Sequence, residues 1–147
     1  MKSIFDQQTR DELIGRVNSL NRDSKAQWGK MNVYQMVRHC NLWEDMMQGR
    51  QKYKRAFIGR IFGRMALRRV MKDESPLARN TPTLPELRIT GNGDMVSERT
   101  EWLAKIRDYA NFSNPGFIHP FFGSMTREQI GPFVYKHIDH HLRQFGA

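Results

Sequence analysis

The stretch "YKHIDHHLRQFG", residues 135–146, places three of the chain's five histidines within five positions. It lies in a segment that opens at Thr126, with Gln129 three residues later, the spacing of a helix capping box. On a helical wheel of about 100° per residue with His137 at zero, Ile130, Phe133, Val134, His141 and Phe145 fall within roughly 80°. Lys136, Asp139 and Arg143 fall well outside. The segment therefore reads as an amphipathic helix with His137 and His141 in the middle of its apolar stripe. His140 lies at the edge, about 100° from His141.

Two imidazoles at i, i+4 inside a core stripe are costly unless their nitrogens are satisfied. That spacing puts their Cβ atoms about 6 Å apart, which suits two ligands on one ion. A third ligand has to come from another element. In "VYQMVRHCNLWEDMMQ" (33–48), Met36, Trp43, Met46 and Met47 flank His39 on one face, whereas Arg38, Asn41 and Asp45 face away. His39 thus also points to the core, and His39, His137 and His141 form a candidate three-histidine metal site. Three protein ligands with open positions are typical of a catalytic metal, since a structural zinc usually has four. Each histidine taken singly also admits a core role. His140 reads as a supporting or surface residue. His119, in "HPFFG", reads as a side chain that fixes a loop, with substrate binding as its other candidate role.

Outward from these helices, Thr9 and Glu12 suggest a capping box that starts the first helix at "TRDE", with Leu13, Ile14, Val17 and Leu20 on one face. Residues 21–32 form a loop, Asn32 caps the second helix and Gly49 closes it. The third helix fits 95–110, with Trp102, Leu103 and Ile106 inward. Residues 74–94 carry three prolines and two glycines, so they form a long surface crossover. Residues 111–125 read as a loop, and no sheet is expected, with room left only for a short pairing within 83–96. The expected fold is all-α: a single domain over 1–147, a four-helix bundle with a long crossover between its second and third helices.

Within the basic segment 50–72, residues 55–72 form an extra helix inside that crossover. Phe57, Ile58, Ile61, Phe62, Met65, Ala66 and Val70 have helical spacing, and Arg60, Arg64 and Arg68 occupy another side. Gly59 and Gly63 weaken such a helix by about 1 kcal/mol each relative to Ala. The preferred reading is an apolar stripe packed on the core under a solvated basic face. The alternative is binding of an anionic lipid surface or a nucleic acid, of which nucleic acid is the less favoured because no aromatic-and-basic motif accompanies the charge.

The net charge of +9 favours an anionic contact of some kind. The single cysteine, Cys40, excludes an internal disulfide and a Cys-rich zinc module, and receives no catalytic role. The start "MKSIFDQQTRDEL" lacks the apolar core of a signal peptide, and no apolar run approaches the ~20 residues that cross a bilayer. These features lead to an expected cytoplasmic location.

Trp28, "VYQMVRHC" with His39, and "KHIDHHLR" with His137 and His141 together resemble the DinB/YfiT-like superfamily. The ending "HPFFGSMTREQ…YKHIDHHLRQFG" is similar to a branch of it known only as a domain of unknown function. The resemblance implies a four-helix bundle, a divalent metal on His39, His137 and His141, and a homodimer, which the abundance of Phe, Met and Trp on the helices also favours. It further implies that the metal activates a low-molecular-weight thiol for transfer or isomerisation, although other members have no known activity. The concrete expectation is a zinc or nickel ion on three neutral imidazoles that makes a nucleophile of bound water or thiol, for thiol transfer, isomerisation or hydrolysis. An acidic small-molecule substrate would suit the basic surface. Glu44, on the shoulder of the second helix, reads as a solvated carboxylate, with general base as its alternative. A metal-binding or interaction bundle without turnover is the rival from another class.

Overall fold

The computed structural model describes residues 1–147 and is mostly helical. Its helices are α1 (Gln7–Ser19), α2 (Val33–Met47), α3 (Phe57–Val70), α4 (Met95–Asp108) and α5 (Arg127–Gln144). A two-stranded antiparallel pairing, β1 (Ile118–His119) with β2 (Gly123–Ser124), precedes α5. No helix is long and apolar enough to cross a membrane.

Local chemistry sets the ends of most helices. Asn32 and Gln35 close a full capping box on α2, with Asn32 Oδ1 accepting from the Gln35 N–H (2.8 Å) and Gln35 Oε1 accepting from the Asn32 N–H (3.0 Å). Gly49, at φ +76°, ends that helix. On α5 the Gln129 side chain accepts from the Thr126 N–H at 3.0 Å. The start of α1 differs from expectation: Asp6 is the residue that precedes it, and Thr9 lies inside the first turn, buried. The Thr9/Glu12 spacing is a coincidence of composition.

One core cluster joins the elements. α2 packs chiefly on α4, and α1 touches both α4 and α5. Leu13, Val17 and Leu20 are buried as their spacing required, as are Trp102, Leu103 and Ile106. Between α2 and α5 the contact is made by rings: Trp43 meets Phe133 and His137, and His39 meets His137 and His141.

Five expectations need correction. The short pairing allowed for within 83–96 is absent, and the observed one lies at 118–124, inside the segment read as loop. The crossover does not stay on the surface, because a short 3-10 turn at Pro85–Leu87 drives Leu87 into the core. α5 is buried on more than its apolar stripe. Lys136 Nζ donates to the carbonyls of Val70, Asp73 and Ser75, and Asp139 pairs with Arg16 and Arg143. Asn41 faces away from the histidines yet is fully buried, donating to Glu98 of α4.

The fifth correction concerns α3. Its contact face is Gly59, Gly63 and Leu67, whereas Phe57, Ile58, Ile61, Phe62 and Met65 are 50–75% exposed. A Cβ at Gly59 or Gly63 would fall on the carbonyl oxygen of Phe121, so the helix seats on the β1–β2 turn through its glycines. The apolar stripe that periodicity assigns to the core is turned to solvent.

Candidate metal centre

His39 comes from the middle of α2 and His137 and His141 from successive turns of α5. All three are buried, at 3%, 8% and 7% exposure. One nitrogen from each ring lies within 4.8 Å of the other two. His39 Nε2 and His137 Nε2 are 3.3 Å apart. Two nitrogens held tetrahedrally at the usual zinc–imidazole distance would be about 3.3–3.4 Å apart.

The other ring nitrogens fix the tautomers. His39 Nδ1 lies 2.8 Å from the Leu87 carbonyl oxygen. A carbonyl only accepts, so Nδ1 carries the proton and Nε2 is bare. His141 Nδ1 lies 3.0 Å from Gln144 Oε1. The orientation of that amide follows from its other end, since Gln144 Nε2 donates to the Trp28 carbonyl at 2.9 Å. His141 therefore also keeps its Nε2 free. His137 has no such partner: its Nδ1 is buried and unbonded, and its ring is instead held flat against Trp43.

Burial disfavours the charged form of every ring. It lowers the pKa of His39, and it lowers those of His137 and His141 further, with the neighbouring histidines adding to the effect. A divalent ion requires neutral imidazoles, and burial favours that form in all three rings. The donor set therefore fits a metal, and the residues are close enough to hold one.

The two remaining histidines are not members of this cluster, although the His140 ring centroid lies 5.2 Å from that of His141. His140 packs edge-on to Trp28 and lines a hollow of about 480 Å3 with Leu77, Arg79 and Arg143. His119 is buried, and its Nδ1 accepts from the N–H groups of Phe121 and Phe122 at 3.1 and 3.2 Å. That closes the β1–β2 turn, the loop-fixing role its position suggested. Burial, with the Arg55 charge, pushes its pKa down to about 3. A larger hollow of about 570 Å3 beside Asn32, Tyr34 and Asp94 contains none of the histidines.

A family model described as a protein of unknown function (DUF1569) matches residues 3–147. The chain belongs to this family. No curated protein and no solved structure matches this DUF1569 chain.

Sequence reasoning missed the groups that position the rings in the DUF1569 chain. Gln144 is one helical turn beyond His141, so it was findable by spacing. Spacing places Trp43 on the His39 face, but its stack on His137 of α5 is a contact between helices that spacing does not give. The Leu87 carbonyl was not findable, because a backbone acceptor leaves no residue-type signal. Glu44, read as solvated, is fully buried and accepts a hydrogen bond from the Tyr109 hydroxyl. Burial raises its pKa to about 8, against the lowering effects of Tyr109, the Trp102 indole and Lys105. It belongs to the α2–α4 packing, and a general-base role at the histidines has no support. Cys40 is buried against Met36, and burial raises its thiol pKa well above the ordinary value, in keeping with an inert thiol.

Proposed function

We propose that this chain is a metal-dependent enzyme of the DinB/YfiT-like type, a four-helix bundle with a long crossover, in which His39, His137 and His141 hold one divalent ion. The helices corresponding to the bundle are α1, α2, α4 and α5, and α3 belongs to the crossover. The observation that carries the reading is the convergence of one nitrogen from each of three buried neutral imidazoles within 4.8 Å. Zinc and nickel are among the ions that imidazole ligands suit, and the reading takes them as the candidates. When bound, the ion would lower the pKa of a coordinated water or thiol and so supply a nucleophile at neutral pH.

The chain's own residues orient the site. Leu87 and Gln144 fix the tautomers of His39 and His141, and Trp43 fixes the plane of His137. The hollow lined by His140, Arg79 and Arg143 lies beside the site, since His140 and His141 have ring centroids 5.2 Å apart. Arg143 is paired with Asp139, whereas Arg79 has no carboxylate partner and favours an acidic small molecule. The reading includes a homodimer in a reducing cytoplasm, where Cys40 remains a thiol.

Elemental analysis of protein purified without added metal tests this directly. About one equivalent of zinc or nickel per chain is expected, and a metal-free protein that also fails to take up either ion would end the reading. One observation favours a second reading, a metal-binding bundle without turnover: none of the three rings is more than 8% exposed. Assays of transfer to low-molecular-weight thiols and of hydrolysis by the metal-loaded protein divide the two. Light scattering that shows only monomer at high micromolar concentration would remove the homodimer.

A further inference from the structure

The outward face of α3 has no partner in the fold. Phe57, Ile58, Ile61, Phe62 and Met65 are each at least half exposed. On the wheel they occupy one continuous arc opposite Gly59, Gly63 and Leu67. Five large apolar side chains on one 14-residue helix form a contiguous patch, unlike the scattered apolar residues of an ordinary surface. The patch cannot be relieved by rolling the helix. Any other rotation would bring a side chain in place of Gly59 and Gly63 against the Phe121 backbone. At the C-terminal end, Lys136 Nζ holds the Val70 carbonyl at 2.8 Å.

The charge along this segment of the chain has one sign. Between Asp45 and Asp73 the chain has nine lysines and arginines and no acidic residue. Arg60, Arg64 and Arg68 run along one flank of the apolar arc, and all three are exposed. Neither Arg60 nor Arg68 has an ion-pair partner in the fold. A two-fold pairing of this face with a second copy would set arginine against arginine with no carboxylate to offset it. The face therefore selects an occupant that is apolar at depth and anionic at its surface.

We propose that α3 docks this protein on an anionic lipid surface, with Phe57, Ile58, Ile61, Phe62 and Met65 entering the headgroup–acyl boundary and Arg60, Arg64 and Arg68 pairing with lipid phosphates and carboxylates. Helices that lie in the membrane plane have this composition, with aromatic and aliphatic residues on one face and arginines beside them. The helix is about 21 Å long, enough to lie on a bilayer and too short to cross it. The inference is independent of the metal, which the α2–α5 histidines would hold whether or not α3 is docked.

Flotation with phosphatidylcholine vesicles, with and without phosphatidylserine, tests it. The wild-type protein should float with phosphatidylserine vesicles, remain behind with phosphatidylcholine alone, and release as salt rises. Ile61→Glu/Met65→Glu should abolish flotation while far-UV circular dichroism and metal content stay unchanged. Arg60→Gln/Arg68→Gln should weaken partition roughly thirtyfold. The proposal is overturned if the wild type fails to float with anionic vesicles at low salt, or if the Ile61→Glu/Met65→Glu protein floats equally well. It is also overturned if the wild type is a dimer that these substitutions turn to monomer, which would assign the face to a second copy.

Discussion

Trp43 lies flat on the imidazole of His137, with ring centroids 3.8 Å apart and planes 9° from parallel. His137 is the one histidine of the three whose Nδ1 has no hydrogen-bond partner. Its plane is therefore set by stacking, where His39 and His141 are set by acceptors. Trp43→Phe keeps a ring over His137 and should retain metal with little loss. Trp43→Ala removes the support and a buried aromatic, and should cost about 3–5 kcal/mol in urea unfolding. Equal metal retention by the Ala and Phe variants, both folded, would show that the stack does not position the ring.

The ligand assignment has its own sign pattern. His39→Ala, His137→Ala and His141→Ala should each lose metal, whereas His140→Ala should keep it, because His140 faces Trp28. Gln144→Ala should retain metal with affinity lowered roughly 10–100-fold, the usual cost of losing a group that orients a ligand. Metal content by mass spectrometry and competition with a chromogenic chelator measure both. Loss in the His140 variant with retention in the His137 variant would refute the site.

The histidine cluster was legible because a helix has a fixed period. Once His137 and His141 shared a stripe, two side chains one turn apart had to point the same way, and His39 met them from the facing core. What could not be read was the rotation of a helix whose own faces compete. On α3 the apolar residues outnumber the glycines, so periodicity assigned Phe57, Ile61 and Met65 to the core. The deciding contact is between the backbone at Phe121 and the missing side chains of Gly59 and Gly63. Residues 85–87 and Glu44 were misread for a related reason: burial by a distant element leaves no mark on the local pattern.

That reversal makes the α3 glycines testable. From helix propensity alone, Gly59→Ala and Gly63→Ala should each stabilise the protein by about 1 kcal/mol. The added Cβ would instead meet the Phe121 carbonyl oxygen. Both variants should be destabilised, by about 1–3 kcal/mol as for other overpacked sites. Thermal or urea midpoints above wild type for both would show that α3 does not seat on the turn as described.

Glu44 predicts a pH dependence that other groups do not share. Its carboxyl has no solvent exposure, and burial raises its pKa from 4.5 to about 8. Between those values the folded protein keeps the proton that the unfolded chain has lost. The stabilisation from this group is thus fully present below about pH 4.5, falls as pH rises, and is gone above about pH 8. One proton sets a slope of at most about 1.4 kcal/mol per pH unit. The buried histidines act in the opposite direction, since their lowered pKa values favour the fold as pH rises through the unfolded value of 6.5. A difference measurement cancels them. The stability of the wild type minus that of Glu44→Gln, from urea curves between pH 5 and 8, should decline with pH. The glutamine keeps an acceptor for the Tyr109 hydroxyl and removes the titration. A difference that is flat with pH would mean that Glu44 is ionised in the folded protein, with Lys105 and Tyr109 outweighing its burial.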